Sequence, residues 1–536
     1  MTKRVASRFR KFAAASILAM ASCALAPQAS AEEAESTGKP NILLVILDDV
    51  GIDTMSNMYP GLIDGLVQQY GPQGLNHPDY ARIKGGPAST PVIDALSQRG
   101  VIFTNAWAQP FCSPTRASML TGLNAAKTGM RDYTNWLSQN HRSLGMDLKQ
   151  AGYATAIFGK WHMAGLNEYP GMKPREAGFD LFKGNLNGAI YDYWDYDYQV
   201  QDGSTPDSEW VQTKPPVKSL PGIAPTTYAP VVKVADTIDW IAGQEQAHPD
   251  KPWFAWLAFN LSHITAGRFP NPTMVPNADT LDQISRDEMA ACGGQFGTTK
   301  IGDCKAGALN RAMTNSIDTV VGKLLDAVGK MDPNTYIIVL GDNGTPMYGQ
   351  PGTNFIDNMY ITRDGRAKGT AYESGMRIPL AIVGPGIQPG SSDAVTHVVD
   401  LFATIHDFAG AETPERVPNK DGSGTVALDA ISLSPVLFDH KAAIRDPNLG
   451  YIVGETVIPL SKNEHQIGVR NATYKVLCKD REGVESCEFF NLAKDPLEEF
   501  PLTPPASCAA QAAVVPNDPD ANYCFLHEKL EAEKKL

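Results

Sequence analysis

Between Phe111 and Gly122 the chain reads FCSPTRASMLTG, which sets a thiol, a proline and a guanidinium within about one helical turn of one another. Pro114 suits the first turn of a helix, where its missing N–H has no intrahelical partner to lose. A helix starting here puts Cys112 at its N-terminus, where unpaired backbone N–H groups and the dipole favour a thiolate or a bound anion. Arg116 then lies about one turn on, on the same face. The chemistry on offer is an activated nucleophile beside a fixed cation. The plain alternative is a buried structural cysteine ahead of an ordinary helix.

Other candidate groups fall where strands should end. NILLVIL (41–47) is a continuous apolar run with β-branched content, as in a buried central strand of a parallel sheet. Ligands of open α/β sheets gather outside the carboxyl ends of the strands, so the adjacent Asp48 and Asp49 are placed to hold a divalent cation. The strand TYIIVLG is followed by Asp342 and Asn343, two further oxygen donors. Taken singly, each pair is a cap or a turn; four oxygen donors at two strand ends, with 111–122 between them, make a metal site. Lys160 and His162 are two apart in YATAIFGKWH, so on an extended segment both point to one side. Two solvated residues at a strand end are the alternative. PWFAWLAFNLSH is another apolar strand, ending in Ser262 and His263.

The connecting elements alternate between strand and helix patterns. Helices are expected at TPVIDALSQRG, SLGMDLKQAG, VVKVADTIDWIAGQ, VDLFATIHDFAG and GALNRAMTNSIDTVVGKLLDAVGKM, the last with apolar residues at helical spacing that belong in a core. The Gly- and Pro-rich stretch between Met58 and Thr90 has little periodicity and reads as an insertion, either shaping a substrate site or simply lying on the surface. IYDYWDYDY (190–198) is crowded with aromatics and acids, which either bind a sugar, aryl ring or cationic group or pack as an acidic edge. From about Tyr451 the pattern changes to short strands. No internal repeat is present.

A chain of 536 residues accommodates one large α/β domain and a smaller one. Its first 31 residues carry Lys3, Arg4, Arg8, Arg10 and Lys11, then an apolar run and Ala29-Ser30-Ala31, the pattern of a secretory signal with its cleavage site. Export, to the periplasm, is therefore expected; a lipid anchor at Cys23 is the alternative, and no later stretch is apolar enough to span a membrane. Taking the leader's five cations and no acids from a net charge of −13 leaves −18, which excludes nucleic acid as a natural partner. An enzyme this acidic needs cations placed locally to receive an anionic substrate. Apart from Cys23 and Cys112, six cysteines remain, an even number suited to disulfides in an oxidising compartment. Proximity favours Cys292–Cys304, Cys478–Cys487 and Cys508–Cys524 among the fifteen possible connectivities. A zinc site competes, though no paired C-x-x-C is present.

C-x-P-x-R followed by T-G resembles, at every signature position, the type I sulfatases of the alkaline phosphatase superfamily. Further matches are G-K-W-H at 159–162 and the stretch KGTAYESGMRIP opened by Lys368, with Ser374 in place of a common glycine. His263 matches too, although SHITAGRFP lacks the prolines usual beside it. F-N-L-A-K-D-P near the C-terminus completes the resemblance. The resemblance implies an α/β fold with a large, mixed, mostly parallel sheet flanked by helices, and a small C-terminal antiparallel sheet. We divide the chain accordingly into a leader (1–31), a catalytic domain (36–440) and a C-terminal subdomain (441–536).

The resemblance also implies conversion of Cys112 into formylglycine by a separate maturation enzyme. A hydroxyl of the hydrated aldehyde, activated by Ca²⁺, with Mg²⁺ as the alternative, attacks the sulfur of a sulfate ester and displaces the alcohol. The second hydroxyl then loses its proton towards His162, and sulfate leaves as the aldehyde re-forms. Asp48, Asp49, Asp342, Asn343 and residue 112 would hold the metal. Lys160 and Lys368 would neutralise the sulfuryl oxygens, Arg116 would hold the diol, and His263 would protonate the leaving oxygen. Two other functions fit the same residues: a phosphonate monoester or phosphodiester hydrolase of the same superfamily, and a non-catalytic protein that binds sulfated glycans.

Overall fold

The computed structural model describes residues 38–536 except 166–169, 266–273, 347–365, 459–463 and 509–516. The leader, its cleavage site and Cys23 lie outside the described residues. Among those described, no helix is long and apolar enough to cross a membrane.

The apolar runs form the strands of a ten-stranded sheet. In chain order these are β1 (Asn41–Leu47), β2 (Val101–Phe103), β3 (Ala154–Lys160), β4 (Leu181–Asn185) and β5 (Tyr198–Gln201). They are followed by β6 (Val211–Thr213), β7 (Trp253–Ala258), β8 (Thr335–Gly341), β9 (Leu380–Val383) and β10 (Gly390–Ser392). Their spatial order is β10-β2-β9-β8-β1-β7-β3-β4-β5-β6. The inner run β8-β1-β7-β3-β4 is parallel, and antiparallel pairings flank it on both sides. All seven residues of β1 are buried, as a continuous apolar run between two parallel neighbours requires. Leu43, Val45 and Leu47 enter one core layer, and Ile42, Leu44 and Ile46 the other.

Helices cover both layers. α1 (Cys112–Thr121) and α4 (Asp400–Ala409) pack on the Ile42 side. α2 (Ala229–Ala247) and α3 (Ala306–Met331) pack on the Leu43 side. Register then decides which strand ends meet: Leu47 pairs with Gly341, Ile46 with Ala258, and Ala258 with Gly159. Asp48, Asp342, Phe259 and Lys160 therefore leave the sheet at nearly one level. Backbone bonds continue the lacing past the strand ends, from Asp342 N to Leu47 O, Asp48 N to Leu261 O, and Ser262 N to Asp48 O.

The C-terminal strands β11 (Ile452–Ile458), β12 (Glu464–Arg470), β13 (Tyr474–Arg481) and β14 (Val484–Asn491) form a four-stranded antiparallel meander. α5 (Pro519–Glu533) covers it with Phe525, Leu526 and Leu530. This helix lies outside the short-strand pattern expected after Tyr451, although Asp518 caps it, accepting from the N–H groups of Asp520 and Ala521, and Pro519 opens it. The three disulfides join Cys292 to Cys304, Cys478 to Cys487 and Cys508 to Cys524, the pairing that proximity favoured. The stretch after Met58 is more ordered than its composition implied. It contains a helix at Leu62–Tyr70, whose Tyr70 hydroxyl donates to Asp495 Oδ1 at 2.5 Å and so ties the insertion to the N-L-A-K-D-P turn.

The meander grips the segment that follows Lys368. Glu373 is buried and accepts from Trp107 Nε1 at 3.0 and 3.1 Å, and it pairs with Arg470 and Lys475 at 3.4 Å each. Lys475, fully buried, also meets Glu498 at 2.6 Å. Removing one member of a buried ionic cluster leaves the others desolvated and unpaired. Lys475→Met should therefore destabilise the fold by about 3 kcal/mol, seen as a lower Tm in scanning calorimetry; an unchanged Tm would mean the cluster is not needed.

Candidate active site

Four adjacent parallel strands bring the predicted residues together at their carboxyl ends. β1 supplies Asp48 and Asp49, β8 supplies Asp342 and Asn343, β3 supplies Lys160 and His162, and the exit of β7 supplies His263. Asp48, Asp49, Asp342 and Asn343 are all fully buried. Lys160 Nζ donates to Asp48 Oδ2 at 2.7 Å, and Lys368 Nζ donates to Asp49 Oδ1. Arg116, also fully buried, gives Nε and an η nitrogen to Asp342 Oδ2 at 3.2 and 2.7 Å, and its other η nitrogen to the carbonyl of Lys160 at 2.8 Å. One guanidinium thus joins the exits of β8 and β3.

α1 begins at Cys112, as its sequence predicted, and all ten of its residues are buried. Gly122 closes it in the left-handed conformation, φ 70°, which is why the motif ends in glycine. Cys112 Sγ lies 3.2 Å from His162 Nδ1. His162 reaches that position differently from the extended geometry expected: β3 ends at Lys160, and the chain turns so that His162 sits at φ 61°. Lys160 and His162 consequently face different partners within one site. A Cβ on Gly188 would stand only 2.2 Å from His162 Nε2, so the backbone of the segment after β4 presses directly on that ring. His263 hydrogen-bonds the Ile264 carbonyl through Nδ1 at 2.7 Å, its Nε2 is 4.0 Å from Asp49 Oδ2, and its own carbonyl accepts from the Tyr193 hydroxyl.

Burial and neighbouring charge separate the titrating groups. Burial, then Asp342, pushes Asp48 up to about 7 against the pull of Lys160. Burial acts on Asp49 too, but Lys368, His263 and Lys160 together hold it well below the usual carboxylate range. Burial lowers His162 far below an ordinary imidazole, with Lys160 and Arg116 adding to the effect. Burial and Lys368 lower His263 to about 3, opposed by Asp49. Burial and the nearby cations thus push both imidazoles towards the neutral form. For Cys112 burial wins over Lys160 and Lys368 and raises the thiol, so the thiolate expected at a helix start is disfavoured. An unmodified thiol is a poor nucleophile here.

The donor set suits a hard divalent cation. Among the described residues, Asp48 Oδ1 and Asn343 Oδ1 are buried oxygens with no hydrogen-bond partner, and ligating atoms of Asp48, Cys112 and Asp342 lie within 4.8 Å of one another. Acceptors held away from water without donors are what such an ion satisfies. Asn343 is oriented by its amide, which donates to Asp49 Oδ1 and to the Gly344 carbonyl, both at 2.9 Å.

Three residues at the site escaped sequence reasoning. Gly188 lies in a stretch with no motif. Tyr193 belongs to the aromatic run 190–198, where Tyr193, Tyr196 and Tyr198 are buried rather than displayed, and Trp194 stacks on Tyr228 at 4.6 Å. Lys233 did carry a signal, a lone cation within the apolar pattern VVKVA; it is buried in α2 and donates to Asn260 Oδ1.

A buried oxygen cluster at the carboxyl end of an α/β sheet, rimmed by lysines and histidines, defines a hydrolase site for an anionic ester. The sulfatase family model matches residues 40–411. N-acetylgalactosamine-6-sulfatase of Canis lupus familiaris is 23% identical, over 90% of this chain and 88% of that one. Choline-sulfatase of Rhizobium meliloti (strain 1021) is 25% identical, over 86% and 82%. The crystal structure of Ps i-CgsB in complex with k-i-k-neocarrahexaose aligns with a TM-score of 0.59 at 19% identity, covering 87% of this chain and 88% of that one. The chain belongs to the sulfatase family, as its motifs implied, and is a sulfuric ester hydrolase with the mixed, mostly parallel sheet of that fold.

Because Gly188 sets the ring of His162, Gly188→Ala should push it away from residue 112. A displacement on the ångström scale lowers kcat about 100-fold. Steady-state kinetics alongside calorimetry should show that loss with Tm retained; wild-type kcat would mean the ring is fixed by other contacts.

Proposed function

We propose that this chain removes sulfate from a saccharide sulfate ester, with Cys112 converted to formylglycine and a Ca²⁺ ion held by Asp48, Asp49, Asp342, Asn343 and residue 112. The observation that carries this is the pair of unpartnered buried oxygens, Asp48 Oδ1 and Asn343 Oδ1, beside a residue 112 that touches His162. The saccharide class is supported by relatives whose names specify N-acetylgalactosamine-6-sulfate hydrolysis and by the neocarrahexaose complex.

When bound, the hydrated aldehyde supplies the attacking hydroxyl and the ion stabilises negative charge on oxygen. The chain's own residues do the rest. Lys160 and Lys368 offer ammonium groups to the sulfuryl oxygens, where charge grows in the transition state. Neutral His162, in contact with residue 112, takes the proton from its side chain. His263 hands a proton to the departing alcohol oxygen; the anionic ester beside it counters Lys368 and raises its affinity for that proton. Arg116 is a positioning residue, its donors committed to Asp342 and the Lys160 carbonyl. Leader and disulfides together support maturation on the way to the periplasm. We read the chain as a catalytic part (36–440) and a C-terminal part (441–536), a reading that the four-stranded meander beginning at Ile452 supports.

Mass spectrometry of the peptide spanning residue 112 should detect formylglycine in protein co-produced with a maturation enzyme, and turnover should scale with the converted fraction. Full activity from unmodified cysteine would overturn the mechanism. A chelator should abolish hydrolysis of sulfated saccharides and 4-nitrophenyl sulfate, and Ca²⁺ should restore it; Lys368→Ala should lower kcat about 100-fold or more. Faster turnover of the matched aryl phosphonate than of the aryl sulfate would reassign the substrate class.

A further inference from the structure

The structure assigns Lys233 and Asn260 a positioning role at the site: a hydrogen-bonded strut that holds the exits of β3 and β7 and, through them, Asp48. This inference rests on the function proposed above.

Lys233 is 2% exposed and lies in the first half of α2, where every residue from 229 to 237 is buried. An ammonium at such a place is unfavourable unless it has a partner and a purpose. Its stem crosses the end of β3, where a Cβ on Gly159 would stand 3.0 Å from Lys233 Cδ. Gly159 directly precedes Lys160. The head of Lys233 donates to Asn260 Oδ1, two residues beyond the end of β7. From Asn260 the path to Asp48 is short, one or two residues along the backbone and then a hydrogen bond. Leu261, the next residue, accepts from Asp48 N at 3.0 Å, and Ser262 N donates to Asp48 O at 2.6 Å. Asp48 is thus clamped on both sides of its backbone by the segment that Lys233 anchors, and the same segment ends in His263.

The amide of Asn260 adds a second point. Its Nδ2 is buried and has no partner among the described residues, and its Oδ1 takes the bond from Lys233. Asp48 is the acidic group whose charge most supports the buried ammonium, opposing the burial that pulls Lys233 down to about 7. Both residues act through Asp48 and His263, on the segment that Asn260 opens.

Lys233→Met and Lys233→Gln separate the bond from the charge, because both are neutral and only glutamine can donate to Asn260. Calorimetric titration of each metal-free protein with CaCl₂, and kinetics on 4-nitrophenyl sulfate, give two independent readouts. Lys233→Met should bind Ca²⁺ about tenfold more weakly than Lys233→Gln and show about tenfold lower kcat, with KM changed less than twofold. Asn260→Leu should reproduce the weaker Ca²⁺ binding and lower kcat of the methionine variant at a reduced Tm, because it strands the Lys233 ammonium, and Lys233→Gln should recover most of the loss. Equal Ca²⁺ affinity and equal kcat in the methionine and glutamine variants would overturn the strut. A wild-type protein that cleaves no sulfate ester would defeat the proposed function instead, and the Ca²⁺ comparison would still decide this inference.

Discussion

Three carboxylates, Asp48, Asp49 and Asp342, are packed without solvent contact at the ends of two neighbouring strands, and the rest of the site is arranged to make that tolerable. Like charges this close and this dry repel strongly. Each is met by a cation from a different element: Lys160 from β3 on Asp48, Lys368 from beyond β8 on Asp49, and Arg116 from α1 on Asp342. The match is uneven. Burial acts on both, but Lys368 and Lys160 hold Asp49 charged, whereas burial and then Asp342 raise Asp48 to about 7. A divalent ion between them would remove that imbalance, and the same lysines that neutralise carboxylates are the ones able to meet an anionic ester.

Because the cations come from separate segments, distant structure bears on the chemistry. Lys368 is followed by a stretch that the C-terminal meander holds through Glu373, Arg470, Lys475 and Glu498. Ala371 N also donates to Gln466 Oε1 of β12 at 3.0 Å. The small sheet is therefore a brace for one of the two lysines as well as an appendage. Register within the large sheet plays the matching part for the other groups, since a shift of one residue in β1 would move Asp48 away from Asp342 and turn its side chain to the opposite face.

Much of this was legible because the chemistry is carried by short contiguous motifs at strand ends. A buried parallel strand announces its own terminus, so Asp48, Asp49, Asp342 and Asn343 could be placed before any contact was known. Local pattern failed where the outcome depended on the chain returning from elsewhere. Gly188 matters only because His162 lies under it, and the turn after Lys160 could not be read from G-K-W-H. Helix-start electrostatics favoured a thiolate at Cys112, but complete burial of α1 outweighs the dipole. α5 was missed because its residues are mostly polar and it is held by a small apolar contact to the meander, which weakens the periodic signal.

The segment from Leu186 to Tyr193 ties the two histidines of the site to one stretch of chain. It begins with a backbone bond from His162 N to Leu186 O at 3.0 Å, passes over the His162 ring at Gly188, and ends with Tyr193 bonded to the carbonyl of His263. It therefore touches both histidines while its outer residues, such as Tyr191 at 64% exposure, face solvent. A segment built this way cannot be reshaped without moving the histidines it supports. Variation in this loop should consequently be confined to its outward side chains, with Gly188 and Tyr193 fixed by the chemistry they hold in place.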